Sequence, residues 1–424
     1  MISARPLAAL AVLPLVLAAC GTEASAARTS AGAPAPAPAT PAASGRPSGL
    51  ASFTLPRPTG PQAVGTTELH LVDHARRDPW VPGRARELMV SVWYPAARSG
   101  TSPYLRPGVA KTIAEGTALG VVPPGTVDWA GARTHAAASA PADPRRGARP
   151  VVLYSPGFGL PRALGTTIAE ELVSRGYVVV TMDHTYETAP VEFPGGRVEN
   201  QRLPEQEPER IKKAIETRVR DTRFVLDRLA ALRGGRNPDA EGRALPRGLG
   251  RTLDLSRAGI VGHSAGGIQA AEAMRVDRRL DAGIDMDGTL EYSDGTLVPV
   301  AATGLDRPFM LMGAATGGTP QTHRTSRSWG SLWEHSTGWK RDLNVPAAMH
   351  YSYTDAQTVL PELDERIDIP AERRAELIGT VDPGRMTAAV RAYVTAFFDR
   401  ALLGRQRPIL DGPSPRHPDV RFIS

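Results

Sequence analysis

The stretch R-A-G-I-V-G-H-S-A-G-G-I-Q-A-A-E-A-M-R, residues 257–275, decides the fold class. An apolar run, Ala258–Gly262, reads as a buried strand. Gly262-His263-Ser264-Ala265-Gly266 matches G-x-S-x-G, and the run from Ile268 has helical spacing. A serine at a sharp strand-to-helix turn needs small flanking residues so that the turn can close. The five-residue pattern alone is a weak signal, and its flanks carry the reading. Outward from this turn, short apolar runs alternate with helical patterns, the mark of an α/β protein with a mostly parallel sheet flanked by helices. Strands are expected at 67–72, 87–94, 149–155, 177–184, 258–262, 282–286, 309–313 and 343–347. Helices are expected at 163–176, 209–233 and 386–403, with a Pro- and Gly-rich excursion over 95–147.

A serine hydroxyl becomes a useful nucleophile when a neutral His takes its proton and a carboxylate orients that His. In hydrolases built on such a turn the chain order is Ser, acid, His. Of nine His, order and the polar tail around His417 leave His323, His335 and His350. His350 follows a strand and opens the loop H-Y-S-Y-T-D, so it is favoured as the base. The strand R-P-F-M-L-M-G at 307–313 runs into a loop without a carboxylate, so the acid is sought one strand earlier. There G-I-D-M-D-G offers Asp285 and Asp287, which alternation places on the same side. Asp287, at the strand's C-terminal edge, is favoured, with Asp285 as the structural alternative. Donors for an oxyanion are expected from the backbone N–H of Ala265 and of Phe158, in the loop S-P-G-F-G at 155–159. A rate that rises with pH is expected, since the base must be neutral.

Composition narrows the partners. With 424 residues, 41% hydrophobic and 22% charged, the chain is neither wholly disordered nor fibrous. Its single Cys, Cys20, excludes an intrachain disulfide framework and a Cys-rich metal site. The net charge of +6 comes from Arg scattered among acids, which does not point to nucleic-acid binding. The Asp183-His184 pair has no third ligand of suitable spacing, so no metal is expected there. Trp329, Trp333 and Trp339 with Leu332 fall near helical spacing, read as a helix packing on the sheet rather than an acyl pocket or lipid-facing patch.

Residues 1–19 carry Arg5 and then a short apolar run, too short for a bilayer span and right for a signal peptide. Leu17-Ala18-Ala19-Cys20-Gly21 resembles the bacterial lipobox, in which the Cys becomes a lipid-modified N-terminus; the alternative is ordinary cleavage near Ala24-Ser25-Ala26. Either route places the protein outside the cytoplasm. Residues 20–60, rich in Ala and Pro, read as a disordered tether, and 61–424 as one catalytic domain.

At these residues the chain resembles the plasma-type platelet-activating factor acetylhydrolase family, within the α/β-hydrolase lipases and esterases. The matching pieces, in order, are G-T-T-E-L-H-L-V-D at 65–73, R-E-L-M-V-S-V-W-Y-P at 86–95, S-P-G-F-G at 155–159, M-D-H-T-Y-E at 182–187, G-H-S-A-G-G at 262–267, G-I-D-M-D-G at 283–288 and H-Y-S-Y-T-D at 350–355. The resemblance implies an α/β-hydrolase fold, Ser264 as nucleophile, Asp287 as acid, His350 as base, Phe158 and Ala265 as oxyanion donors, and neither metal nor other cofactor. It implies short-acyl phospholipid or small lipid esters as substrates. The rival readings are a broad lipase, cutinase or polyesterase, separated by chain-length preference, and a surface-binding lipoprotein that keeps the fold without the chemistry. The 234–250 insertion, the Trp-rich stretch and the tail beyond 405 depart from the family pattern.

Overall fold

The structure, a computed structural model, describes residues 49–145, 147–204 and 209–424. Among the described residues ten strands form one sheet: β1 (Val64–Arg77), β2 (Ala85–Pro95), β3 (Ala136–Ala138), β4 (Arg149–Ser155), β5 (Val178–Met182), β6 (Leu253–His263), β7 (Ala282–Met286), β8 (Phe309–Gly313), β9 (Lys340–Asn344) and β10 (Arg421–Phe422). Their spatial order is β10-β9-β8-β7-β6-β4-β5-β2-β1-β3. The strands from β9 to β5 are parallel neighbours, whereas β2 runs antiparallel to both β5 and β1, and β10 antiparallel to β9.

The central strands read as near-continuous apolar runs because both faces are covered. On one face lie α3 (Arg210–Arg233) and α4 (Ala265–Val276), whose Ile215, Val225, Leu229, Ile268 and Ala271 join the first core cluster. On the other lie α2 (Thr166–Ser174) and α9 (Pro383–Leu403), which bring Ile168, Leu172, Tyr393, Phe397 and Phe398 against Val152, Val179 and Ile284. The start of α9 is written in its sequence: Asp382 caps it by accepting from Arg385 N–H at 2.8 Å, and Pro383 takes the first helical position. This doubly covered parallel sheet with its helices is the α/β-hydrolase architecture expected.

The order β6-β4-β5 makes β4 a point where the chain changes direction of winding, so the loops after β4 and β6 leave its C-terminal edge side by side. Open α/β sheets bind ligands at such a crevice.

The boundaries moved in several places. β6 begins at Leu253, with an irregularity between Asp254 and Ala258 that an apolar-run reading does not register. β9 spans Lys340–Asn344 rather than 343–347: Pro346 lacks the N–H a strand would donate, while the charged Lys340 and Arg341 are in the ladder. The excursion over 95–147 holds α1 (Pro107–Glu115), and α7 (Ala356–Asp364) and α8 (Ala371–Ile378) follow His350; α5 (Pro299–Thr303) and α6 (Arg327–His335) precede β8 and β9.

One expectation is corrected. The tether does not run to residue 60, because Ala51, Phe53 and Leu55 are buried and pack with Tyr104, Trp129 and Leu360. Three apolar side chains at every second position give this segment the burial that the surrounding Ala/Pro composition lacks. Arg391 also donates to the Pro56 and Arg57 carbonyls. Residues 1–48, with the expected signal segment and Cys20, lie outside the described residues.

Candidate active site

Ser264 stands between β6 and α4 with φ 56° and ψ −122°, a conformation sparsely used by residues with a side chain. The two glycines of the motif explain how the turn closes. A Cβ on Gly262 would lie 2.1 Å from Gly266 C and O, and one on Gly266 would lie 2.1 Å from Ser155 O. The turn is thus pressed against the strand end that carries S-P-G-F-G. The Ser264 N–H is held by Met286 O at 2.8 Å, which ties the turn to β7.

Asp287 follows β7, also at positive φ, 62°. Its Oδ1 accepts from Ala314 N–H at 2.8 Å and its Oδ2 meets His350 Nδ1 at 2.6 Å. Asp287 is buried, whereas the His350 side chain is 40% exposed, so the imidazole has one edge on the carboxylate and the rest partly open to solvent. His350 opens a short 3₁₀ turn, His350–Tyr353, and its carbonyl bonds His263 Nε2 at 2.8 Å. His263 is fully buried; that burial, and then the neighbouring His350, hold its pKa well below the ordinary value. It is therefore neutral, with its proton on Nε2 donated to the carbonyl.

Of the two acids in G-I-D-M-D-G, Asp287 reaches His350 and Asp285 does not. Asp285 Oδ1 accepts from Gly288 N–H at 2.8 Å, its Oδ2 has no partner among the described residues, and burial raises its pKa well above the usual carboxylate range. The turn after Asp287 is further fixed by Trp329, whose Nε1–H donates to Gly288 O at 2.6 Å. Trp329 is buried with Leu332, Trp333 stacks on His323 at 4.1 Å, and Trp339 packs between Arg341 and Arg400. The Trp cluster is helix and sheet packing. His323 pairs with Asp342 at 2.7 Å, and His335 is exposed on α6.

Ala265 occupies the first position of α4, where a helix leaves N–H groups without an intrahelical acceptor. Phe158 sits in a turn after β4 closed by Leu160 N–H to Gly157 O at 3.2 Å, with Arg210 5.8 Å from its ring.

Reasoning along the sequence missed what lies beneath. His184 is held between Asp221 Oδ2 and Ser155 Oγ, each at 3.0 Å, and Asp183 accepts from Arg162 N–H at 2.7 Å. Arg86 pairs with both Asp78 and Asp221, and Arg218 with Glu187, all five buried. Among the described residues no group of three His, Cys, Asp or Glu is placed to hold a metal ion. One signal was available: Arg218, Asp221 and Thr222 fall in phase with Ile215 and Val225 on the buried stripe of α3, where unpaired charge is not tolerated.

Comparison with known proteins agrees with this architecture. Residues 51–292 match the family model described as platelet-activating factor acetylhydrolase, isoform II. A protein of Arthroderma benhamiae named probable 1-alkyl-2-acetylglycerophosphocholine esterase is 29% identical over 397 residues, 88% of this chain and 94% of that one. The platelet-activating factor acetylhydrolase of Cavia porcellus is 23% identical over 257 residues, 55% of each. A solved structure, a ferulic acid esterase from Streptomyces cinnamoneus, is 41% identical and superimposes with a TM-score of 0.71, covering 87% of this chain and 98% of that chain. The chain is a carboxylic ester hydrolase that belongs to the platelet-activating factor acetylhydrolase isoform II family.

Proposed function

We propose that this protein is an extracytoplasmic serine esterase that cleaves short-acyl lipid esters or small lipid esters through an acyl-enzyme. The observation that carries the reading is the 2.6 Å contact of His350 Nδ1 with Asp287 Oδ2, built beside a serine at positive φ. Asp287 holds the proton on Nδ1 and leaves Nε2 free to accept the Ser264 proton. Ser264 Oγ attacks the ester carbonyl, and the oxyanion forms against the N–H groups of Phe158 and Ala265. His350 then returns the proton to the leaving alkoxide, and water, activated by the same imidazole, releases the acid. No cofactor enters these steps.

The substrate reading rests on the family and the Arthroderma relative. A second reading, esters of an aromatic acid, is favoured by the ferulic acid esterase neighbour. Hydrolysis by the full chain of p-nitrophenyl acetate, butyrate and palmitate, methyl ferulate and a 1-alkyl-2-acetylglycerophosphocholine separates the two, beside Ser264→Ala. Preference for the acetyl lipid supports the first reading and preference for ferulate the second. A folded chain that turns over none of them, and takes no adduct from an organophosphonate at Ser264, refutes both and leaves a binding lipoprotein.

The N-terminal reading places the protein on a membrane through a lipid on Cys20. Fatty-acid labelling of the chain in a bacterial host, lost in Cys20→Ala, is the expected result. A mature N-terminus beyond Cys20 refutes the anchor and leaves a secreted form.

A further inference from the structure

Gly157 and Phe158 share one peptide group, and in a trans peptide the C=O and the N–H point in opposite directions. Here the carbonyl is turned into the protein. Gly157 O accepts from Arg218 Nη2 at 3.1 Å as well as from the Leu160 N–H of its turn at 3.2 Å, and the preceding carbonyl, Pro156 O, accepts from Arg218 Nη1 at 2.7 Å. The same Nη1 reaches Ser155 Oγ at 3.1 Å, so one guanidinium meets three consecutive residues of the loop. The remaining edge of Arg218 is taken by Glu187, which accepts from Nε at 2.9 Å and from Nη2; both side chains are fully buried. The Phe158 N–H, on the other end of the peptide, has no protein acceptor among the described residues.

We propose that Arg218 is a positioning residue for the oxyanion site: by drawing the Pro156 and Gly157 carbonyls inward it keeps the Phe158 N–H facing Ser264. The inference rests on the proposed roles of Ser264 and Phe158 and adds the group that sets the polarity of the second donor. The planar fork matters, because two carbonyls in fixed relative orientation call for two N–H groups in fixed relative orientation, which Lys does not offer. The danger it guards against is a peptide flip. Gly157 lacks a side chain and tolerates either orientation, and the flipped peptide presents a carbonyl oxygen to a developing oxyanion. Glu187 neutralises the guanidinium, so Arg218 acts through geometry and not by lending charge to the reaction.

The test uses the full chain with Arg218→Lys and with the charge-balanced double variant Arg218→Met/Glu187→Leu, which leaves no lone buried charge. Steady-state kcat and KM are measured for p-nitrophenyl butyrate and for its thiono analogue, in which sulfur replaces the carbonyl oxygen and draws little from N–H donors. The double variant is expected to lose about 10- to 100-fold in kcat on the oxo ester, somewhat less than removal of a donor itself costs. KM should stay within about two-fold and the oxo-over-thiono preference should collapse by the same factor as kcat. Arg218→Lys should fall between it and the wild type. Equal losses on both esters, or an unchanged kcat in a variant with native near-ultraviolet circular dichroism, overturn the proposal.

Should neither variant fold, the wild-type chain carrying a phosphonate on Ser264 gives a second test by crystallography. Phe158 N–H on the phosphoryl oxygen with Gly157 O still on Arg218 supports it; Gly157 O turned toward the adduct overturns it. A folded wild-type chain inert to both esters and to the phosphonate removes instead the hydrolase reading beneath the inference.

Discussion

Asp287→Asn changes one atom and has a consequence that the hydrogen bonds dictate. Asp287 Oδ1 takes the buried Ala314 N–H at 2.8 Å, and Oδ2 takes His350 Nδ1 at 2.6 Å. An asparagine can accept at only one of these places. With its NH₂ toward Ala314 it would leave that buried N–H unmet, at about 1–3 kcal/mol. It therefore keeps its carbonyl on Ala314 and offers NH₂ to His350. Nδ1 must then accept, and the imidazole carries its proton on Nε2, the nitrogen that in the proposed mechanism receives the Ser264 proton. The expected loss is about 10³- to 10⁴-fold in kcat with KM nearly unchanged, equivalent to roughly 4–5 kcal/mol at the transition state. Steady-state hydrolysis of p-nitrophenyl butyrate reads it, with thermal melting to show that the fold is kept. Asp285→Asn is the control: burial already favours the neutral acid there, and one oxygen has no partner among the described residues, so a loss below about ten-fold is expected. A kcat for Asp287→Asn within about ten-fold of wild type, or a greater loss in Asp285→Asn, refutes the reasoning.

Three other outcomes are expected. Gly262→Ala places a methyl 2.1 Å from the Gly266 backbone, which should lower stability by about 1–3 kcal/mol and abolish esterase activity; a variant melting and turning over like wild type counts against the close-packed turn. Trp329→Phe keeps most of the ring but drops the 2.6 Å bond to Gly288 O, so about 0.5–1.5 kcal/mol of stability and part of kcat should go; an unchanged kcat shows that the Asp287 turn needs no such support. Burial pushes Asp355 up to about 7 and Glu170 up to about 8, so both bind more protons folded than unfolded as pH rises from about 4, and stability falls through that range. For Asp355 the displacement from 3.8 to about 7 corresponds to about 4 kcal/mol, and Asp355→Asn, which keeps an acceptor for Thr167, should make the fall of the urea midpoint between about pH 4 and pH 7 shallower, with Glu170 keeping its share; a wild-type slope in that variant refutes the assignment.

What could be read along the chain follows from how far each signal reaches. β7 and β8 lie where their apolar runs predict, because a buried parallel strand advertises itself over five residues. α3 and α9 are long enough for their periodicity to outweigh noise. β9 was displaced because its first two residues are Lys340 and Arg341. Lys340 reaches back to the Trp333 and Ser336 carbonyls, contacts that only tertiary structure supplies. α7 and α8 are short, and Pro361 lies inside α7, so neither presents a clean pattern. Phe53 and Leu55 were hidden in a low-complexity composition although two such side chains at alternate positions suffice to anchor a segment. At the site, Ser264 stood out through its five-residue pattern taken with the strand and helix that flank it. The pairing of His350 with Asp287 across 63 positions came from chain order and strand-end logic, not from any local pattern.

Of the charges beneath the strand edge that carries Ser264, only the Arg218 and Asp221 positions on the buried stripe of α3 left a trace in the sequence, and the placement of the whole group is the more informative for it. Arg86 comes from β2, His184 follows β5, Arg218 and Asp221 belong to α3 and Gln269 to α4, so no window of sequence contains the network. Stability alone accounts poorly for it, since buried ion pairs gain little over well-packed apolar residues of the same volume. Geometry accounts for it better. The loop after β4 turns two carbonyls away from the crevice, and buried carbonyls require donors. Apolar packing cannot supply them, and water in that position would hold them loosely. Leu160 N–H meets Gly157 O from within the turn, and a buried arginine reaches both carbonyls from one rigid plane; Glu187 meets its charge, and Ser155 joins the same group to His184 and Asp221. On the proposed roles of Ser264 and Phe158, the ionic cluster is the inner half of the site, and it holds still the backbone N–H that the outer half needs.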